Sequence, residues 1–254
     1  MTAGRVLRPL TICAGLIVVW QVVVWITDLP PFILPDPARV ADALMERADL
    51  IAEHAATTVV EIIAGLVLGT VVGAASALAL SYFEPARRWL LPLLVVSQAI
   101  PVFALAPILV LWFGYGLASK IAMAVLIIYF PVTAAFFDGL RRTDPGWLDL
   151  ARVMNGSRWR TLRHVRLPAA LPALASGLRV AAAVAPIGAI IGEWVGSSAG
   201  LGYLMLQANA RVQIDTMFAA LIVLAAIALA LYFALDVALK RALPWQPDSL
   251  ATEG

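Results

Sequence analysis

The chain has 254 residues, 62% of them hydrophobic and only 13% charged, with a net charge of +2. An ordinary soluble domain is about 45–50% apolar, so this composition excludes one and points to lipid as the solvent. Collagen-like, disordered and disulfide-stapled chains are excluded as well, since the single cysteine, Cys13, can form no intrachain disulfide.

A helix that crosses the hydrocarbon needs about 20 mostly apolar residues, because backbone at that depth must satisfy its own hydrogen bonds. Residues 10–25, 62–83, 90–113, 121–137 and 217–235 carry no charge, and 171–192 carries only Arg179. With their flanks these windows predict an all-α polytopic membrane protein with six transmembrane helices, at about 10–27, 57–83, 89–113, 119–140, 171–194 and 215–238. Together they form a transmembrane domain over 10–240. The first segment runs on through Trp20 and Trp25 without a small-residue cleavage pattern, so it is expected to remain as an anchor.

Lys and Arg near span ends are retained in the cytoplasm. With the segment 1–9 inside, that side receives Arg5, Arg8, Arg87, Arg88, Arg141, Arg142, Arg152, Arg158, Arg160, Arg163, Arg166, Lys240 and Arg241, thirteen in all. The outside receives four, Arg39, Arg47, Lys120 and Arg211. Both termini, with a tail at 241–254, and the loop 141–170 are therefore expected in the cytoplasm.

After the first span, the prolines of 29–37 forbid regular helix. From 38 to 53 the charges Arg39, Asp42, Glu46, Asp49 and Glu53 recur at helical spacing, opposite Val40, Leu44, Ala48 and Ile51, which predicts one amphipathic helix outside the membrane. At the start of the second span Glu61 reads as a solvated boundary residue. Within that span Gly65, Gly69 and Gly73 form two overlapping small-x-x-x-small steps, which permit close helix contact, more readily inside the chain than between copies. Pro101, Pro107, Pro131 and Pro186 remove backbone hydrogen bonds inside spans and can kink them.

The loop 141–170 carries the strongest local signals. Asp144 followed by Pro145 predicts a helix start, with the helix running to Met154. Asn155-Gly156 tolerates the left-handed conformation that closes a helix, and Ser157 can cap a second one, about 158–166, ending before Leu167-Pro168. The loop's arginines exceed what orientation needs, and with Trp147 and Trp159 they form the mix enriched at protein interfaces. A cytosolic partner is implied.

Four polar side chains are candidates for a transport pathway, because an ionisable group in a span is costly unless it serves a purpose. Arg179 could face a polar passage, pair with Glu193 of a neighbouring copy, or snorkel to the surface. Glu193, beside Trp194, reads as an anchor or gate near the outer interface. Gln98 and Asn209 are weaker candidates.

The loop resembles the signature of permease subunits of ATP-binding-cassette importers, carried here by Asp149-Leu150-Ala151, Asn155 and Val165-Arg166-Leu167-Pro168. Asp149 stands where the family has glutamate, Leu150 where it has alanine, and Asn155 where it has glycine. The segments 101–116, 192–204 and the loop through Pro172 are similar to the nitrate, sulfonate and taurine branch. The stretch 208–221 is most similar to permeases for pyrimidine precursors of thiamine.

This resemblance implies the type I ABC importer permease fold, located in the bacterial inner (plasma) membrane. It implies coupling helices in which Asp149, Ala151, Asn155, Gly156, Arg158, Trp159, Arg163, Leu167 and Pro168 meet the motor. The implied partners are two copies of a cytosolic ATPase, a second permease copy, presumed identical, and an extracytoplasmic solute-binding protein. The implied solute is small and polar, a thiamine pyrimidine precursor or alternatively an alkanesulfonate, taurine or nitrate. No nucleic-acid partner, catalytic residue or metal ligand is expected.

The chain shows no phosphate-binding loop, since neither Lys120 nor Lys240 sits among the required glycines or precedes Ser or Thr. ATP and magnesium are therefore expected on the partner, and no cofactor in this chain. An intramembrane hydrolase would need a histidine base or metal cluster, and the only histidines are His54 and His164, with no H-E-x-x-H. An ion-driven secondary transporter would tend to show repeated halves, and none is evident.

Overall fold

A computed structural model describes residues 3–246. The predicted terminal segments 1–9 and 241–254 lie partly outside the described residues. Within them the chain folds as α1 (Ala3–Thr27), α2 (Pro37–Glu46), α3 (Ala48–Tyr82), α4 (Glu84–Ser97), α5 (Val102–Phe113) and α6 (Leu117–Arg141). There follow α7 (Pro145–Val153), α8 (Arg158–Thr161), a π-helical turn (Leu162–Arg166), α9 (Leu167–Gly196), α10 (Leu201–Ala210) and α11 (Ile214–Ala242).

Among the described residues four helices are long and apolar enough to cross a membrane: α3, α6, the continuous rod Arg158–Gly196, and α11. The expected third span is not one straight helix. It is broken into α4 and α5, which pass the same test only as a pair bent by 103°, making five crossings if the pair counts as one. The described apolar part of α1, Thr11–Thr27, is shorter. The break has a local cause. Gln98, Ala99 and Ile100 each donate to a carbonyl three residues back, so the ladder tightens. Pro101 then holds an extended backbone at the start of α5 and brings no N–H to continue the helix.

The amphipathic helix expected over 38–53 is likewise two pieces. Asp36 caps α2 by accepting from the Arg39 N–H at 2.9 Å, with Pro37 in the first turn. Arg47 leaves helical geometry and ends α2, and the remaining residues form the first turns of α3. Val40, Ala43 and Ile51 are buried, whereas Ala48 is exposed.

The described residues form two compact units. One comprises those up to Thr57 together with Ser198–Ala225. Here the Trp20 indole donates to the Pro35 carbonyl at 3.1 Å and stacks on Phe218, and Arg47 donates to Gln213 at 2.7 Å. His54 Nδ1 accepts from the Gly200 N–H at 3.0 Å.

The other unit comprises Thr58–Ser197 and the residues from Ala226 onward. At its centre Ala124, Ile128 and Val132 of α6 pack on Ala181, Ala185 and Ala189 of α9, with Ile62 of α3 and Leu231 of α11 closing the cluster. Towards the loop 141–170, a second cluster joins Leu80, Phe136, Leu140, Leu162 and Ala170. Alternating small residues let α6 and α9 approach closely. The α3 glycines serve the same end within the chain. A Cβ on Gly65 would collide with that of Ala124, one on Gly69 would lie 2.7 Å from Ile128 Cγ2, and one on Gly73 3.0 Å from Val132 Cγ1.

The helices also expose long apolar side chains, among them Ile63, Val67 and Val71 at four-residue steps on α3, and Leu229, Phe233 and Val237 on α11. Contiguous apolar surface of this kind is incompatible with water and suits lipid.

Candidate functional site

The projecting loop is built from local caps. Asp144 accepts from the Gly146 N–H and starts α7 with Pro145 in its first turn. The helix closes with two reciprocal bonds. The Gly156 N–H donates to the Ala151 carbonyl at 2.8 Å, and the Asn155 N–H donates to that of Arg152 at 2.9 Å, with Asn155 left-handed at φ 55°. This is the Schellman closure, in which Asn is the best substitute for Gly. Gly156 is also needed for space, since a Cβ there would stand 2.8 Å from the Ala151 carbonyl oxygen. Ser157 then caps α8 by accepting from the Arg160 N–H.

The second helix does not end before Leu167-Pro168 as expected. It passes into α9 without interruption through the π turn, in which the Leu167 N–H donates to the Leu162 carbonyl five residues back. A wider turn accommodates a proline, which lacks an N–H and crowds the preceding turn. The loop is thus joined to a membrane-crossing helix by a rigid helical path.

Asp149 is exposed and accepts from Arg152 Nη1 at 2.7 Å. Arg158, Trp159, Arg163 and Pro168 are exposed, Ala151 and Leu167 half-buried, and the Trp159 ring meets Tyr82 edge-on at 6.2 Å. One flank of α7 presents Trp147, Leu150, Ala151 and Met154 to an open apolar groove of about 560 Å³, closed on the far side by Pro168 and Trp245. The residues expected to couple therefore share one stretch of helix and turn, from α7 to the start of α9.

The four pathway candidates stand on separate elements or far apart on one. Gln98 is exposed at the α4–α5 bend, and Asn209 is exposed at the end of α10. Arg179 and Glu193 lie on the same helix, 14 residues apart, roughly 20 Å at 1.5 Å per residue. Within the chain Arg179 is paired with α11. Its Nε donates to Asp236 of α11 at 2.7 Å, and Lys240 meets the other Asp236 oxygen at 3.0 Å. Asp236 escaped notice in the sequence because it stands one residue beyond the charge-free window 217–235, though inside the expected span 215–238.

Glu193 is buried and accepts from the Thr58 hydroxyl at 2.6 Å. Beside it lies Glu61, which the sequence suggested was solvated and which is completely buried. Lys120, counted among the charges of the outer side, is buried too, and its Nζ stands 3.1 Å from Glu61 Oε1. These side chains bring α3, α6 and α9 together in one polar cluster. Gly192 allows this approach, since a Cβ there would stand 3.0 Å from Lys120 Cα. The available sequence signal was Glu61 flush against a 22-residue charge-free run at 62–83, a position where a carboxylate must find a partner.

Comparison with known proteins assigns the chain. Residues 62–244 match the family described as binding-protein-dependent transport system inner membrane component. The chain is 58% identical to a probable ABC transporter permease protein of Haemophilus influenzae, with 93% of this chain and 97% of that protein covered. It is 33% identical to the formylaminopyrimidine transport permease protein ThiX of Halalkalibacterium halodurans, over 95% of this chain and 97% of that one. The solved structure of the MetNI methionine ABC transporter in inward-facing conformations superposes with a TM-score of 0.68 at 19% identity, covering 77% of this chain and 97% of that one, which shows the shared fold. The chain therefore belongs to the binding-protein-dependent transport system inner membrane components, the permease subunits of ABC importers, and has their type I fold.

Proposed function

We propose that the chain forms the membrane passage of an importer for a small pyrimidine precursor of thiamine. An extracytoplasmic binding protein delivers the solute, two permease copies alternate between outward and inward access, and the loop 141–170 is the handle by which two cytosolic ATPase subunits drive the change. ATP and its magnesium ion are bound by those partners. Both termini and the loop face the cytoplasm, a reading supported by the distribution of arginine and lysine.

The observation that carries the coupling role is the construction of the loop. An apolar groove with exposed Trp147 and Leu150 offers a docking surface, and the π turn passes displacement directly into α9. Of the expected coupling residues Ala151 and Pro168 line that groove, and Asp149, Asn155, Gly156, Arg158, Trp159, Arg163 and Leu167 lie along the same helical path from α7 into α9. Arg179, Glu193, Gln98 and Asn209 tune the passage by holding helices or facing it. The solute class is supported by the 33% identity to the formylaminopyrimidine transport permease protein of Halalkalibacterium halodurans.

The test is reconstitution of the permease with its ATPase and binding protein in vesicles. Asp149→Lys and Pro168→Gly are expected to insert normally, to retain ATP hydrolysis and to lose most solute uptake. Full uptake by both variants rejects the coupling role. Binding of formylaminopyrimidine by the co-purifying receptor supports the solute class, and receptor binding of taurine or an alkanesulfonate in its place rejects it.

A further inference from the structure

On the other flank of α7, away from the apolar groove, lies a second cleft of about 440 Å³ with a different chemistry. Leu148 and Arg152 of α7 face it, with Arg158 and Thr161 of α8, Arg166 of the π turn, and Tyr82, Glu84 and Arg87 where α3 passes into α4. Four arginines therefore converge on one cleft. Two of them are partly neutralised, Arg152 by Asp149 at 2.7 Å and Arg87 by Glu84 at 4.0 Å. The cleft thus has a surplus of about two positive charges beside hydroxyls that can donate.

Its position is equally specific. α3 ends its apolar run at Tyr82, and both Tyr82 and Phe83 stand exposed at the cleft's edge, meeting edge-on at 5.0 Å. Exposed aromatic residues at the end of a membrane-crossing helix mark the headgroup level. A basic cleft at that level, opening beside apolar side chains, fits an anionic headgroup with its acyl chains alongside the protein.

We infer that this cleft is a binding site for an anionic phospholipid, with Arg87 and Arg166 holding the headgroup phosphate and Phe83 beside the acyl chains. Guanidinium groups suit the role because they present planar paired donors to phosphate oxygens. Occupancy would tie the α3–α4 junction to the coupling loop, so the lipid would act as a wedge between membrane and handle.

The test uses the purified full-length chain in detergent, titrated with phosphatidylglycerol, phosphatidylcholine or inorganic phosphate, and read by native mass spectrometry. The expected result is retention of one phosphatidylglycerol in preference to phosphatidylcholine. That preference should fall about thirtyfold in an Arg87→Gln, Arg166→Gln double variant, the scale of two basic contacts to an anionic surface. The Arg87→Lys, Arg166→Lys variant controls for folding and should keep most of the preference. Equal retention of the two lipids, or an unchanged preference in the glutamine variant, overturns the site. Displacement of the lipid by millimolar phosphate would overturn its assignment to a lipid and identify a free-anion site.

Discussion

The most exacting residues in the chain are charged groups with no water. Lys120 and Glu61 meet at 3.1 Å with side chains 7% and 0% exposed. Removing one member of a buried pair costs about 3–5 kcal/mol, mostly through the charge left behind, while removing both is much less costly. Lys120→Met should therefore destabilise the chain by about that amount, and Glu61→Gln in the same chain should restore much of it, as read by thermal unfolding in detergent. If the second change makes no difference, the pair is not the energetic link between α3 and α6. A different strain sits at Val212, a β-branched residue at φ 58°. It occupies the helix-closing position of α10, where the Gln213 N–H donates to the Ala208 carbonyl at 2.8 Å. A left-handed L-residue costs roughly 1–2 kcal/mol, so Val212→Gly should raise stability by about 1 kcal/mol, whereas the same change at exposed, helical Val153 should lower it.

Elements are held at distances that small residues set. On α9, a Cβ at Gly188 would stand 2.7 Å from the Cα of Ala124, an atom of helix backbone that cannot rotate away. On α1, by contrast, a Cβ at Gly15 would meet nothing within 4 Å. Gly→Ala in a helix otherwise gains about 1 kcal/mol, and overpacking costs about 1–3. Gly15→Ala should therefore be neutral or stabilising by up to about 1 kcal/mol and Gly188→Ala destabilising by 1–2 kcal/mol, roughly, in the same unfolding assay. Equal effects would mean that α6 yields to the added methyl at no cost. Much of this level was legible beforehand. The caps at Asp144, Asn155 and Ser157 stand where residue type placed them, because each bond spans five residues or fewer. The continuation through Leu167-Pro168 was not legible, since whether a proline ends a helix or is absorbed by a π turn depends on the packing of Leu162 and Leu167 against Leu80 and Phe136.

For the whole molecule, the arginine distribution predicts which ends of the spans face the cytoplasm, and chemical labelling can check it. In a Cys13→Ser background, Trp147→Cys should react with a membrane-impermeant maleimide in inside-out vesicles and be protected in right-side-out ones. Labelling from the opposite side would place the coupling loop outside and remove the basis for its role. At this scale the mass of apolar residues required membrane-crossing helices, but their number and straightness were less secure. The expected third crossing is bent by 103° at the 98–101 turn, a feature that the unbroken charge-free window concealed.

The residue order by itself determined the solvent, the helical class and the capped turns of the coupling loop, because composition and bonds between near neighbours need no knowledge of the rest of the fold. The fate of the charges was decided only by tertiary structure. Glu61 and Lys120 lie 59 positions apart, and Arg179 and Asp236 lie 57, so nothing local marks them as partners. A charge at a span boundary can reach water or be buried against an opposite charge; packing of α3 and α6 buried Glu61 and Lys120 together, while that of α9 and α11 left Arg179 and Asp236 paired and partly exposed.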